Sequence, residues 1–101
     1  MRTNSRFKQI IQSPKAVLVH FYADWCQPCH QLVPVLKEVR ENFGVHIRII
    51  KVNVDDNPSI AAQFRVRNLP TLMLFRSGAV KWTGEGVPGA EELARTLHSF
   101  L

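Results

Sequence analysis

The sequence predicts an α/β domain: a central mixed sheet of four or five strands, flanked by helices on both faces. Three observations carry that prediction. Residues 16–22, AVLVHFY, form a nearly continuous run of valines and aromatics, the pattern of a strand covered on both faces. Residues 45–54, VHIRIIKVNV, alternate and then thicken in apolar residues; a helical period separates the two runs, so a crossover and parallel pairing are expected. Further on, TLMLF (71–75) and AVKWT (79–83) flank Arg76-Ser77-Gly78, which reads as a tight antiparallel hairpin.

The helices follow from spacing and punctuation. Ser5 is expected to cap a short first helix whose Phe7, Ile10 and Ile11 share a face, and Ser13-Pro14 stops it. After the first strand, Leu32, Val33, Val35, Leu36, Val39 and Phe43 keep a helical period until Asn42-Phe43-Gly44 closes the segment. Pro28 fits the first turn of that helix, where no amide hydrogen is needed, whereas Pro34 falls inside it and is expected to kink it. Asn57 is a candidate cap and Pro58 a first residue for a short helix reaching Phe64. Gly84, Gly86, Pro88 and Gly89 break the chain before a last helix, where Leu93, Leu97 and Phe100 share a face.

The 101 residues, 46% hydrophobic and free of linker, repeat or low-complexity tract, suit a single domain over residues 1–101. The longest apolar runs fall far short of a membrane span, and the first residues, MRTNSRFKQIIQSPKA, hold no apolar block before a cleavage site, so a soluble, cytoplasmic protein is expected. Thirteen Lys and Arg against eight Asp and Glu give a net charge of +5, which favours acidic partners. The basic residues are dispersed, without a dense run or interleaved aromatics, so nucleic acid is not expected as a partner.

Chemistry concentrates in FYADWCQPCH, residues 21–30, which hold both cysteines. A Cys-x-x-Cys pair serves a dithiol redox couple or half a metal site, and with His30 it also matches the attachment pattern of c-type haem. Haem would need a second axial ligand such as Met73; zinc would need two of His20, His30, His46 and His98, and no second close ligand pair exists. Position favours the redox reading. The pair lies just past the carboxyl end of a buried parallel strand, where the next helix starts and sites of open α/β sheets gather. Unpaired amides and the helix dipole there stabilise a thiolate on Cys26, while Cys29 lies one turn on, within bridging reach.

The segment FYADWCQPC resembles the active-site segment of the thioredoxin family, and KVNVDDNPSIAAQFRVRNLPTLMLFRSG resembles the family's stretch from a central strand to the proline opposite the cysteines. The resemblance runs from about Ala16 to the C-terminus and implies a thioredoxin-like fold and a protein-disulfide reductase. It implies that Cys26 attacks and Cys29 resolves the mixed disulfide. Trp25, Gln27 and Pro28 would flank the reactive sulfur, Pro70 would be a cis-proline holding substrate beside Leu69, and Gly86 would border the groove. No bound cofactor is implied. The implied partners are protein disulfides and, as electron donor, a flavin-dependent thioredoxin reductase; a monomer is expected. An oxidant, an isomerase or a binding module with little redox turnover are the alternative roles.

Three features depart from the family pattern. His20 stands six residues before Cys26, where thioredoxins usually carry a buried aspartate. It is a candidate catalytic base toward Cys29 or simply a core residue, and burial and a nearby Lys51 would both oppose its protonation. Gln27 replaces a usual glycine and His30 a usual lysine. The segment before Phe7 is short for the family's first edge strand; with four strands rather than five, one edge would be left to be protected or paired.

Overall fold

In a computed structural model of the chain, residues 2–101 are described, with side chains from Ser5 onward. The elements run α1 (Arg2–Ile11), β1 (Ala16–Tyr22), α2 (Gln27–Phe43), a 3₁₀ turn (Gly44–His46), β2 (Ile47–Asn53), α3 (Pro58–Gln63), β3 (Thr71–Arg76), β4 (Ala79–Glu85) and α4 (Ala90–His98). Among the described residues the sheet has four strands, in the order β2-β1-β3-β4. β1 pairs parallel to β2 and antiparallel to β3, and β3 pairs antiparallel to β4.

The most apolar strand occupies the middle because both its faces are covered. Side chains alternate along a strand, so Ala16 and Leu18 face one layer and Val17, Val19 and Phe21 the other. The first layer is closed by Leu32, Leu36, Val39 and Phe43 of α2 with Leu93 and Leu97 of α4. The second is closed by Phe7 and Ile11 of α1 and Ile60 of α3. There the rings of Phe7, Phe64 and Phe75 meet edge to face, with centroids 5.2–5.9 Å apart, the arrangement the ring quadrupoles favour. β4, half exposed, is one edge of the sheet; β2 is the other.

Element ends differ from expectation where a local hydrogen bond or turn outweighs the apolar pattern. α1 begins before Ser5, which is a helix residue and not its cap. Val45 and His46 belong to the 3₁₀ turn and not to β2, because Gly44 at φ +51° reverses the chain first. α2 runs on through Pro34. Asn57 precedes α3, but its side chain makes no capping bond there; its amide donates instead to the Asn53 carbonyl at 3.0 Å. The hairpin loop is two residues, Ser77 and Gly78, both at positive φ, a pair that matches the twist of the strands, and β4 continues to Glu85. Amides of that loop donate to the carbonyls of Ser13 and Ile11, both at 2.8 Å, which ties the hairpin to the end of α1.

Candidate active site

Residues 23–26 carry the chain from the carboxyl end of β1 into α2. Cys26 has extended backbone (φ −86°, ψ 104°) and caps the helix: its Sγ accepts from the Cys29 N–H at 3.2 Å. Of the four amides a helix start usually leaves unpaired this one has three; one is thus spent on sulfur, and the others point the same way. Pro28 occupies the first turn, where its missing N–H removes a donor the helix does not use. Cys26 and Cys29 are joined as a disulfide across a Cα separation of 5.3 Å. Both are buried, at 4% and 2% exposure, so Cys26 is less open than the expected role of attacking sulfur suggests. Ala23 packs directly on the pair, with the half-buried Tyr22, Val54 and Leu69 around it.

Other residues singled out in the sequence gather on the same end of the sheet. Trp25 is 71% exposed, so it is no core residue, and its indole N–H donates to an Asp55 carboxylate oxygen at 2.9 Å. Gln27 and Pro28 are exposed beside it. The Leu69-Pro70 peptide is cis, as the resemblance implied. The Gly86 N–H donates to the Pro70 carbonyl at 3.0 Å, and Gly86 adopts φ +84° with open space where a side chain would stand. Between Trp25 and Leu69 lies a groove of about 310 Å³, also lined by Val54, Val66, Arg67 and Asn68. His30 turns back on the loop; its Nε2 lies 2.9 Å from the Asp24 carbonyl and so carries the proton.

His20 lies apart from that surface cluster. It is the one buried histidine among the described residues, 4% exposed, in register with Lys51 of β2 and Leu72 of β3. Burial, and secondarily the charge of Lys51, hold its imidazole well below the usual histidine range, at about 4, so it is neutral at pH 7. Its Nε2 is buried without a hydrogen-bond partner, unlike a satisfied core histidine, and the ring lines a groove under α2 with Val33, Leu36 and Lys51. His30, His46 and His98 lie elsewhere: in the first turn of α2, in the 3₁₀ turn, and at the end of α4 against Phe43. Met73 faces the opposite layer of the core from the α2 helix that carries Cys29. Among the described residues no three His, Cys, Asp or Glu side chains converge as a metal site would require.

Sequence reasoning missed Asp55, the partner of Trp25, and Asn68, whose amide donates to Glu85 and whose carbonyl accepts from Thr71 Oγ1 beside Pro70. Asp55 was findable, because it sits two residues past the carboxyl end of β2, the edge at which α/β sites assemble.

A dithiol at a helix N-terminus, with backbone groups presented across from it, is an arrangement for thiol–disulfide exchange; the fold and site define a thiol-disulfide oxidoreductase. Comparison with known proteins agrees. The family model for thioredoxin matches residues 1–99. Thioredoxin of Pyropia yezoensis is 41% identical over 100 residues, covering 98% of this chain and 94% of its own length; thioredoxin 1 of Synechococcus elongatus is 40% identical over the same shares. The crystal structure of oxidised mitochondrial thioredoxin 3 from Saccharomyces cerevisiae superposes with a TM-score of 0.86 at 26% identity, covering 95% of this chain and 89% of that one. The chain belongs to the thioredoxin family, and its activity is that of a protein-disulfide reductase.

Proposed function

We propose that the redox work is divided between Cys26 as attacking and Cys29 as resolving cysteine. The reading rests on one observation: Cys26 Sγ, and not Cys29 Sγ, receives the helix-terminal N–H bond. In the reduced protein that bond and the helix dipole stabilise a Cys26 thiolate. The thiolate attacks one sulfur of a substrate disulfide, forming a mixed disulfide and releasing the other sulfur as a thiolate. Cys29 loses its proton and attacks Cys26 Sγ; the second substrate sulfur leaves and is protonated. The first substrate thiolate takes its proton from water, so the substrate has gained two electrons and two protons, and the Cys26–Cys29 disulfide has formed.

His20 is the proposed acceptor of the Cys29 proton. Its neutrality at pH 7 and its unpartnered Nε2 support that role, since a base needs a free lone pair. Trp25, Gln27, Pro28, Leu69, Pro70 and Gly86 form the proposed substrate groove, with substrate backbone laid along residue 69 in an extended conformation. A thioredoxin reductase drawing on NADPH is the proposed electron donor. A single-domain monomer in the cytoplasm is the proposed setting: two cysteines spent as one redox couple leave no staple of the kind secreted scaffolds use. No helix of the described residues is long and apolar enough to cross a membrane.

The test is a redox titration followed by Trp25 fluorescence, together with insulin reduction by Cys26→Ser and Cys29→Ser. A two-electron midpoint near about −270 mV supports the reductant reading; about −180 to −120 mV replaces it with an isomerase or oxidant. Cys29→Ser is expected to accumulate a mixed disulfide on Cys26. The same adduct on Cys29 in the Cys26→Ser protein, and none on Cys26, would reverse the roles.

A further inference from the structure

The β2 edge is the feature of the fold that the exchange chemistry leaves unused. The Val54 N–H donates to the Tyr22 carbonyl at 2.9 Å, so Val54 points its backbone at β1. Backbone groups of a strand alternate in direction, and the β1–β2 register from Ala16↔Ile47 to Tyr22↔Asn53 has no slip. Val52, Ile50 and Arg48 therefore pair with β1, while Ile47, Ile49 and Lys51 present N–H and C=O outward. Among the described residues no further strand takes them up. The edge is seven residues long and holds neither proline nor bulge; among the devices that blunt such edges it carries only charge, at Arg48 and Lys51.

A groove opens on each face of this edge. One, about 510 Å³, lies under α2 and is mostly apolar, with Val33, Leu36 and Ile49 on its walls and the His20 ring at its floor. The other, about 320 Å³, lies beside α1 and α3 and is lined by Arg6, Ile10 and Asn57; Ile50 and Lys51 border both. A strand added along β2 would place alternate side chains over the two grooves. Charge selects what that strand carries. Arg6, Arg40 and Lys51 line the grooves with no carboxylate among the lining residues, and Arg48 is exposed on the edge. A second copy of this chain would bring the same cations against them, so the edge repels itself and favours an acidic strand.

We propose that β2 is a docking edge for an extended segment of a partner protein, added as a fifth strand. Its alternate apolar residues lie over the α2 groove, and its intervening acidic residues lie on the side of Arg6 and Arg48. Main-chain hydrogen bonds hold the segment, and the two grooves and the arginines set which segment fits.

The probe is a capped peptide, Val-Glu-Val-Glu-Val-Glu-Val, titrated into the whole oxidised protein and followed by amide NMR shifts and hydrogen exchange. Binding is expected to be saturable, to slow exchange at Ile49 and Lys51, and to weaken as salt rises. N-methylating alternate peptide amides, in either register, is expected to abolish it in the one that faces β2, and replacing Glu by Lys to abolish it altogether. Arg48→Glu is expected to weaken binding roughly fivefold without changing insulin reduction. Ile49→Pro removes an outward donor that β1 does not use, so it is expected to block binding in a folded protein. No saturable binding, binding indifferent to N-methylation, or shifts confined to Trp25, Leu69 and Gly86 would each overturn the proposal.

Discussion

Lowering the pH should destabilise this protein through one side chain, His20. In the unfolded chain a histidine titrates near about 6.5; in the folded protein burial and Lys51 bring His20 down to about 4. The folded state thus refuses a proton that the unfolded state accepts. The associated stability is fully present above pH 6.5, is lost as pH falls toward 4, and levels off below that. With those two values, linkage gives a loss of about 2 kcal/mol between pH 7 and pH 4.5. The assay is urea unfolding of the oxidised protein at the two pH values, for the native sequence and for His20→Leu. Leucine keeps the volume, has no proton to take up and leaves no unpartnered Nε2, so the variant is expected to lose about 2 kcal/mol less over that interval. Carboxylates and the other histidines titrate in both proteins and cancel in the difference. An equal pH dependence in the two would show that His20 accepts a proton in the fold, and would refute its burial as a neutral group.

Phe75→Ala removes a ring that is fully buried and touches Phe7 and Phe64 edge to face; a loss of about 3–5 kcal/mol is expected by denaturant unfolding. Gly86→Ala meets no neighbouring atom but must hold φ +84°, so a cost of about 1 kcal/mol is expected, read as a lower thermal midpoint with the same insulin end point. Asp55→Ala frees the Trp25 indole from its one hydrogen bond. Stability should change by less than about 1 kcal/mol, since the pair is exposed, while the Trp25 emission spectrum shifts and KM for a protein disulfide rises. Between pH 6 and 9, Cys29→Ser and His20→Ala together locate the proton step: His20→Ala is expected to shift the pH profile of mixed-disulfide release and to leave the attack of Cys26 on substrate unchanged.

What the sequence determined by itself is local or periodic. The run Ala16–Tyr22 specified a doubly covered strand to the residue, because six of its seven positions are apolar and His20 alone breaks them, leaving no polar side to show. The spacing Cys26-x-x-Cys29 after that strand, with Pro28 in the first helical turn, fixed the reactive pair and its electrostatics. Helix starts were read less well. Ser5 and Asn57 are good caps in isolation, but a capping bond competes with other partners nearby, and Asn57 spends its amide on Asn53.

Only the tertiary structure decided what depends on pairs far apart in sequence. It brought Asp55 to Trp25, thirty residues away, and the Gly86 amide to the Pro70 carbonyl. It left the buried His20 Nε2 with nothing to bond, a state no single-residue preference encodes. It also made β2 an edge between two grooves. Strand order is chosen by how the layers close over the most apolar strand, and a one-dimensional pattern of apolar residues carries burial but not neighbours.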